Sequence, residues 1–476
     1  MDTFDATTKR LRLLVAIASF GEKNLGFLKQ VIAAYRKMPF AVDVVVLSNA
    51  PKDLGPDVKV LVGLPIANPW SLPFAHKPVF AENVDAYDLF IYSEDDMAVS
   101  LENIQAFLRV TPQLAPDEIA GYLRYEVDPA GNWSLPEVHG AFHWKPETAH
   151  QRGALTVAEF SNEHAAFYLL NQAQLKKCIA SGGFLVAPYE GRHDMLCAAA
   201  TDPYSNCGFR KVVCISELES FCIHHLPNRY IGEYGLPLDA VKLQMQTLQK
   251  IVQHAHPVST LCEVESKLQR RKWSKGFYDL PGDELLGAIP VNARTILSIG
   301  CGWGATEAKL RDRGAVVTAL PLDSVIGADA ARLGVHVIYD TLEGGFDQLA
   351  TKAFDCVIIT NLLHLLPSPE ETIKRMVQLV GAGGSLVISG PNFEWFRIVG
   401  KRLFKKEDCE KLRSYEESGI HAQSRAAIVH QVKRHGLTRV QARWYNHSAP
   451  QRTKSLPAWT GRFTAKEWLI QASKAR

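Results

Sequence analysis

The sequence predicts an α/β protein of two domains in tandem. Its 476 residues exceed what one hydrophobic core organises. Two separate stretches alternate apolar strand runs with helical patterns, one on each side of a polar segment. A hydrophobic content of 47% with 22% charged residues fits a globular chain rather than a disordered one.

The first half opens on the apolar run 11–19 (LRLLVAIAS). Phe20-Gly21 turns the chain, and 24–37 reads as an amphipathic helix. A buried strand at 42–48 (VDVVVLS) completes a βαβ unit, so this sheet starts out parallel. A further strand, 89–93 (LFIYS), runs into Glu94-Asp95-Asp96, and aromatic loops follow around Trp133 and Trp144. Residues 236–268 read as a helix with one polar face, and Pro281-Gly282-Asp283 marks a turn. The second half is more regular. Strands are expected at 295–299, 316–319, 335–338, 356–360 and 385–389, with helical segments between them. That alternation predicts a doubly wound parallel sheet. The boundaries drawn are 10–235, a helical connector over 236–274, and 275–476.

Net charge is +3, too little for a dedicated nucleic-acid binder. The segment 401–476 is nevertheless basic, with 17 Lys and Arg against 6 Asp and Glu. It is a surface for phosphate-bearing partners, for peripheral membrane contact or for solvent alone. The first ten residues lack the apolar region of a secretory signal, and no run reaches 18 apolar residues. The nine cysteines form no CxxC pair, which favours reduced thiols and a cytoplasmic setting.

Residues 296–307 read ILSIGCGWGATE: strand, glycine turn, helix. Glycines at Gly300, Gly302 and Gly304 let the backbone turn tightly and let a ligand approach it. Three further segments share the pattern: 354–369 (FDCVIITNLLHLLPSP), 380–392 (VGAGGSLVISGPN) and 467–474 (EWLIQASK). Together they resemble class I S-adenosylmethionine (SAM) methyltransferases over roughly 275–476. The resemblance implies a Rossmann-like sheet with SAM as cofactor. It places Gly300, Gly302 and Gly304 against the amino-acid moiety, Asp340 near the adenine and Asn361 beside the transfer pocket. Two positions depart from the family. Ser298 stands where an acidic residue is usual. Pro321 stands where an acid usually binds the ribose, with Asp323 two positions on as its substitute. His364, after the fourth strand, is the candidate general base for a hydroxyl acceptor, with His421 a weaker one.

Glu94, Asp95 and Asp96 end a buried strand, where concentrated negative charge is costly unless a cation compensates it. A divalent Mg²⁺ or Mn²⁺ ion holding a diphosphate would do so. The order of strands and triplet resembles GT-A glycosyltransferases over roughly 10–235, whose sheet is mixed. The resemblance makes Asp96 a metal ligand, places Glu94 and Asp95 near ribose and diphosphate, and turns Ser19 and Ser48 toward the nucleotide. Asp194, and after it Glu190, become the catalytic base that deprotonates the acceptor. The segment FCIHHLPNR adds His224 or His225 to the metal and Arg229 to a phosphate.

The sequence therefore predicts a bifunctional enzyme of glycan or glycolipid assembly, with a nucleotide-sugar donor and a SAM-dependent methylation. Two alternatives stand beside it. One is a methyltransferase carrying a non-catalytic GT-A-like module. The other is an RNA methyltransferase, against which the small net charge argues.

Overall fold

A computed structural model describes residues 10–138, 141–233, 235–394, 406–446, 454–455, 462 and 465–476. The chain divides into two compact units, 1–245 and 246–476.

In the N-terminal unit, β1 (Arg12–Ser19) leads into α1 (Leu25–Arg36), which returns the chain to β2 (Ala41–Ser48). Strands β3 (Val58–Val62) and β4 (Leu89–Glu94) follow. Short strands β5 (Met97–Ala98) and β6 (Leu123–Val127) precede β7 (Phe167–Asn171). The main sheet runs β7-β4-β1-β2-β3. Strands β1 to β4 are parallel, and β7 joins β4 antiparallel, so the sheet is mixed. Parallel strands covered on both faces need continuous apolar runs. That explains why Leu13 through Ser19 are all buried. Helix α2 (Met195–Ser205) and strand β8 (Cys222–His225) follow, with β8 pairing antiparallel to β5 and parallel to β6.

Helix α3 (Leu238–Val252) stops well short of the residue 268 expected from the polar pattern. His254 adopts φ 57, and Pro257 cannot continue a helix. The next residues run as irregular chain into the C-terminal unit.

That unit alternates as expected: β9 (Thr295–Cys301), α4 (Ala305–Asp312), β10 (Val316–Pro321), α5 (Ser324–Arg332) and β11 (His336–Val337). Helix α6 (Leu342–Gln348), β12 (Phe354–Thr360), α7 (Pro369–Leu379) and β13 (Val380–Pro391) follow. Helix α8 (Arg425–Arg434) and strands β14 (Leu437–Asn446), β15 (Lys454–Ser455) and β16 (Glu467–Lys474) close the unit. Strand order is β11-β10-β9-β12-β13-β16-β14-β15. The order reverses between β9 and β12. In open α/β sheets the ligand crevice lies there, beyond the carboxyl ends of the strands. Part of the basic segment 401–476 lies outside the described residues.

Candidate functional site

The glycine turn leaves β9 at the crevice. Gly300 has φ 73 and Gly304 φ 89, a region that side chains with a Cβ avoid. Gly302 is required by space: a Cβ there would lie 2.2 Å from the Phe277 carbonyl oxygen. That carbonyl accepts the Trp303 backbone N–H at 3.0 Å, and the Trp303 indole donates to the Asp279 carbonyl at 2.9 Å. Residues 275–279 are thereby tied over the turn. Lys275, Gly276, Asp279, Gly300 to Glu307, Ile358 and Thr360 line one cavity.

Ser298 is buried beneath the turn, and its hydroxyl donates to Glu307 Oε1 at 2.6 Å. Glu307, itself 5% exposed, brings a carboxylate into this cavity from the first turn of α4. The sequence reading missed it. The signal was available: Ser298 supplies no charge, and Glu307 lies three residues beyond Gly304, where a helix turns a side chain back toward the preceding strand. Asn361 follows β12 with φ 48, an uncommon conformation for a residue other than glycine, and its buried Oδ1 has no hydrogen-bond partner. Strain and an orphaned acceptor at one residue of the crevice mark a ligand-facing position.

The opposite end of the crevice is different. Asp323, expected at the ribose, is buried and caps α5, its Oδ1 accepting the N–H groups of Val325 (2.7 Å) and Ile326 (2.8 Å). Proline at 321 ends β10, and one oxygen of the carboxylate two residues later meets the helix start. Asp340 is half-buried and closes its own turn, accepting the Thr341 N–H (2.7 Å) and the Gln348 amide (2.7 Å). Across the ends of β10 and β11 runs the segment 256–262. Leu261 donates its N–H to the Leu322 carbonyl (2.9 Å), and Leu342 donates to the Leu261 carbonyl (3.1 Å). The segment 256–262 is thus hydrogen-bonded to the residues that follow β10 and open α6.

His364 is buried, and burial lowers its pKa to about 4. Its Nε2 lies 2.8 Å from the Trp273 carbonyl, so that nitrogen carries the proton. Nδ1 is the buried nitrogen without a partner. The ring is therefore neutral at physiological pH, with a lone pair available. His421 stacks on Tyr415 (4.4 Å between ring centroids) and hydrogen-bonds the Pro367 carbonyl through Nε2 at 3.0 Å.

In the N-terminal unit the acidic triplet sits at the carboxyl end of β4, beside Ser19 and Ser48, which end β1 and β2 in register. Ser48 accepts the Ala50 N–H, closing a local turn. Burial pushes the Glu94 carboxyl up to about 8, Asp96 and Asp95 adding to the effect and Arg124 and Arg229 opposing it. Burial also raises Asp95, against the hydrogen bond donated by Asn24. Burial would raise Asp96 too, but the neighbouring His225 and Arg229 outweigh it and hold this carboxyl below its ordinary value. Arg229 lies 3.2 Å from Asp96 Oδ2, His225 Nε2 3.5 Å, and the Asn24 amide donates to it at 3.0 Å.

The metal expectation finds no support in this geometry. The charge the triplet concentrates is answered within the chain, and Arg229 serves Asp96 rather than standing free for a phosphate. His225 bridges Asp96 and Glu126, its Nδ1 2.6 Å from Glu126. Successive strand residues point to opposite faces, so His224 turns away to Asn228 (3.0 Å) and stacks on Tyr125. Among the described residues no group of three or more His, Cys, Asp or Glu side chains is placed to hold a metal ion.

Asp194 caps α2, accepting the Cys197 N–H at 3.0 Å, and Glu190 is half-buried in the loop before it. Arg192 reaches Glu163 at 2.6 Å. Burial, then the charges of Asp194 and Glu94, raise the Cys197 thiol well above its usual value. All nine cysteines are free thiols, and no helix among the described residues is long and apolar enough to cross a membrane.

Comparison with known proteins addresses the second unit. Residues 269–442 match a family model described as a methyltransferase domain. A ubiquinone biosynthesis O-methyltransferase of Saccharophagus degradans is 31% identical over 126 residues, covering 24% of this chain and 53% of that protein. Its counterpart in Nitrosomonas europaea is 26% identical over 160 residues, covering 30% and 66%. The chain thus spans about half the length of the first relative and less than two thirds or so of the second. The N-methyltransferase NodS of Bradyrhizobium japonicum, solved with S-adenosyl-L-homocysteine, is similar at 15% identity and a TM-score of 0.29, covering 40% of this chain and 85% of that one. The family match and the curated relatives support a class I SAM-dependent methyltransferase domain in the C-terminal unit. The family match includes none of residues 10–235.

Proposed function

We propose that the chain is a SAM-dependent methyltransferase whose C-terminal unit recognises the cofactor's amino-acid end through the glycine turn and Glu307. The observation that carries this reading is the Ser298–Glu307 contact at 2.6 Å in the cavity of the turn. A buried carboxylate there suits an ammonium group, since charge-assisted hydrogen bonds are the stronger ones. His364 is the base for a hydroxyl acceptor: neutral, with Nδ1 unpartnered and next to a cavity that includes Ser389, Phe393, Gln423 and Trp468. What this chain's residues would do is orient the two reactants and accept a proton; SAM, when bound, would supply the methyl group. Calorimetric titration with SAM tests the reading, and absence of binding to every form of the chain overturns it.

A second reading concerns the N-terminal unit: a GT-A-like module that binds a nucleotide sugar or a glycan. Its support is the mixed sheet with the acidic triplet at the end of β4, where Ser19 and Ser48 end the neighbouring strands. The in-chain neutralisation of Asp96 favours binding without a divalent ion. On this reading the methyl acceptor is a glycan or glycolipid, and Asp194 would deprotonate an acceptor if the unit also transfers sugar. Titration of nucleotide sugars with and without Mn²⁺ decides it; silence in both conditions removes the module's proposed ligand.

A further inference from the structure

The strongest unexplained feature is what fills the crevice beyond β10 and β11. Residues 256–262 are bound there by a ladder of contacts. His256 Nε2 lies 3.0 Å from the Ser324 carbonyl, and its ring packs edge-on against Tyr339, 4.9 Å between centroids. Ser324 donates its N–H to the Ser259 carbonyl at 2.9 Å, and the Ser259 N–H reaches the Ser324 hydroxyl at 3.3 Å. Thr260 bridges to Asp323, and Leu261 takes both the Leu322 carbonyl and the Leu342 N–H. The Leu261 side chain is 2% exposed, in the same apolar cluster as Leu320, Leu322 and Leu342.

These are the groups that a nucleoside would need. In doubly wound sheets the ribose is held by an acidic residue roughly 20 positions beyond the glycine turn. Asp323 stands at that distance from Gly302 and Gly304, under Thr260. The backbone groups that end β10 and open α6 are also taken. Yet the other end of the same crevice keeps an unpartnered acceptor at Asn361 and a carboxylate at Glu307.

We infer that residues 256–262 form an internal strap that occupies the adenosine half of the cofactor crevice and must be released for a nucleoside cofactor to bind. This rests on the methyltransferase reading above. The strap follows α3 in sequence through His254 at φ 57 and Pro257, a break that lets it leave the sheet without unwinding a helix. A binding-competent state that is rarely populated weakens apparent affinity in proportion. Loosening the strap therefore tightens binding, the reverse of what loss of a contact residue does.

The test uses the full chain titrated calorimetrically with S-adenosyl-L-homocysteine, alongside amide hydrogen exchange. His256→Ala removes a half-buried contact at the outer end of the strap; Leu261→Ala removes its buried anchor. Expected are affinities at least threefold tighter for His256→Ala and at least tenfold for Leu261→Ala. In the unmodified chain, ligand should speed exchange over 256–262 and slow it over 300–307. Should Leu261→Ala fail to fold, His256→Ala carries the comparison. Ligand binding with unchanged exchange over 256–262 and equal affinities in all forms overturns the strap and leaves the methyltransferase reading standing. Absence of binding in the unmodified chain and in both variants overturns the cofactor reading, and the strap with it.

Discussion

Glu307→Gln removes a negative charge from the glycine-turn cavity while keeping the side chain's shape. The amide oxygen still accepts the Ser298 hydroxyl, now 2.6 Å from a carboxylate oxygen, so folding should lose only about 1 kcal/mol. Ligand recognition should lose more. A hydrogen bond to a charged group contributes about 1.5–3 kcal/mol, which converts to about 10- to 150-fold in dissociation constant. The companion variant adds Ser298→Asp, returning the charge on β9 instead of α4. Both positions are buried and in contact, so the double variant should recover affinity to within about threefold of the original, a difference under about 1 kcal/mol. Calorimetry with SAM, beside urea unfolding to check the fold, measures both quantities. If Glu307→Gln binds SAM as the unmodified chain does, the carboxylate has no part in recognition. If the double variant stays as weak as the single one, the effect belongs to packing.

Gly302→Val should displace 275–279, because its Cβ would meet the Phe277 carbonyl at 2.2 Å; a loss of about 1–3 kcal/mol on urea unfolding is expected, with SAM binding gone. Raised to about 8, Glu94 binds a proton in the folded state that the unfolded chain releases near its ordinary 4.5. Its contribution is present below 4.5 and lost as pH rises through 8, so Glu94→Gln should flatten the pH dependence of N-terminal unfolding in that window. His364, lowered to about 4, has the opposite sign. Its contribution is present above 6.5 and lost as pH falls through 4, so His364→Gln should flatten the acid limb of C-terminal unfolding.

Much of this fold was legible because buried parallel strands are written as apolar runs. The tail strand was read at 467–474, where β16 lies. Edge elements were harder: the strand expected over 335–338 is reduced to His336–Val337, since little beyond β10 pairs with it. The long polar helix was misread because helical periodicity persists past 252 while one residue at positive φ and one proline end the element. In the site, the glycines were recognisable from their spacing. Glu307 was legible from its place one turn into the helix after Gly304, whereas the segment 256–262 depends on contacts that no local pattern encodes. Of the two histidines expected at the metal, the strand's alternation turns His225 toward Asp96 and His224 toward Asn228. Against the triplet stand Arg229 and His225 at Asp96, while burial raises the Glu94 carboxyl.

The C-terminal sheet begins on a two-residue strand, His336–Val337. Short edges offer few free N–H and C=O groups to a second chain. The N-terminal sheet ends instead on the five-residue Val58–Val62, whose exposed Lys59 discourages pairing while Val62, 53% exposed, invites it. Refolding at high concentration should therefore lose material through the first unit's open edge, and a second lysine at position 62 should raise the recovered yield.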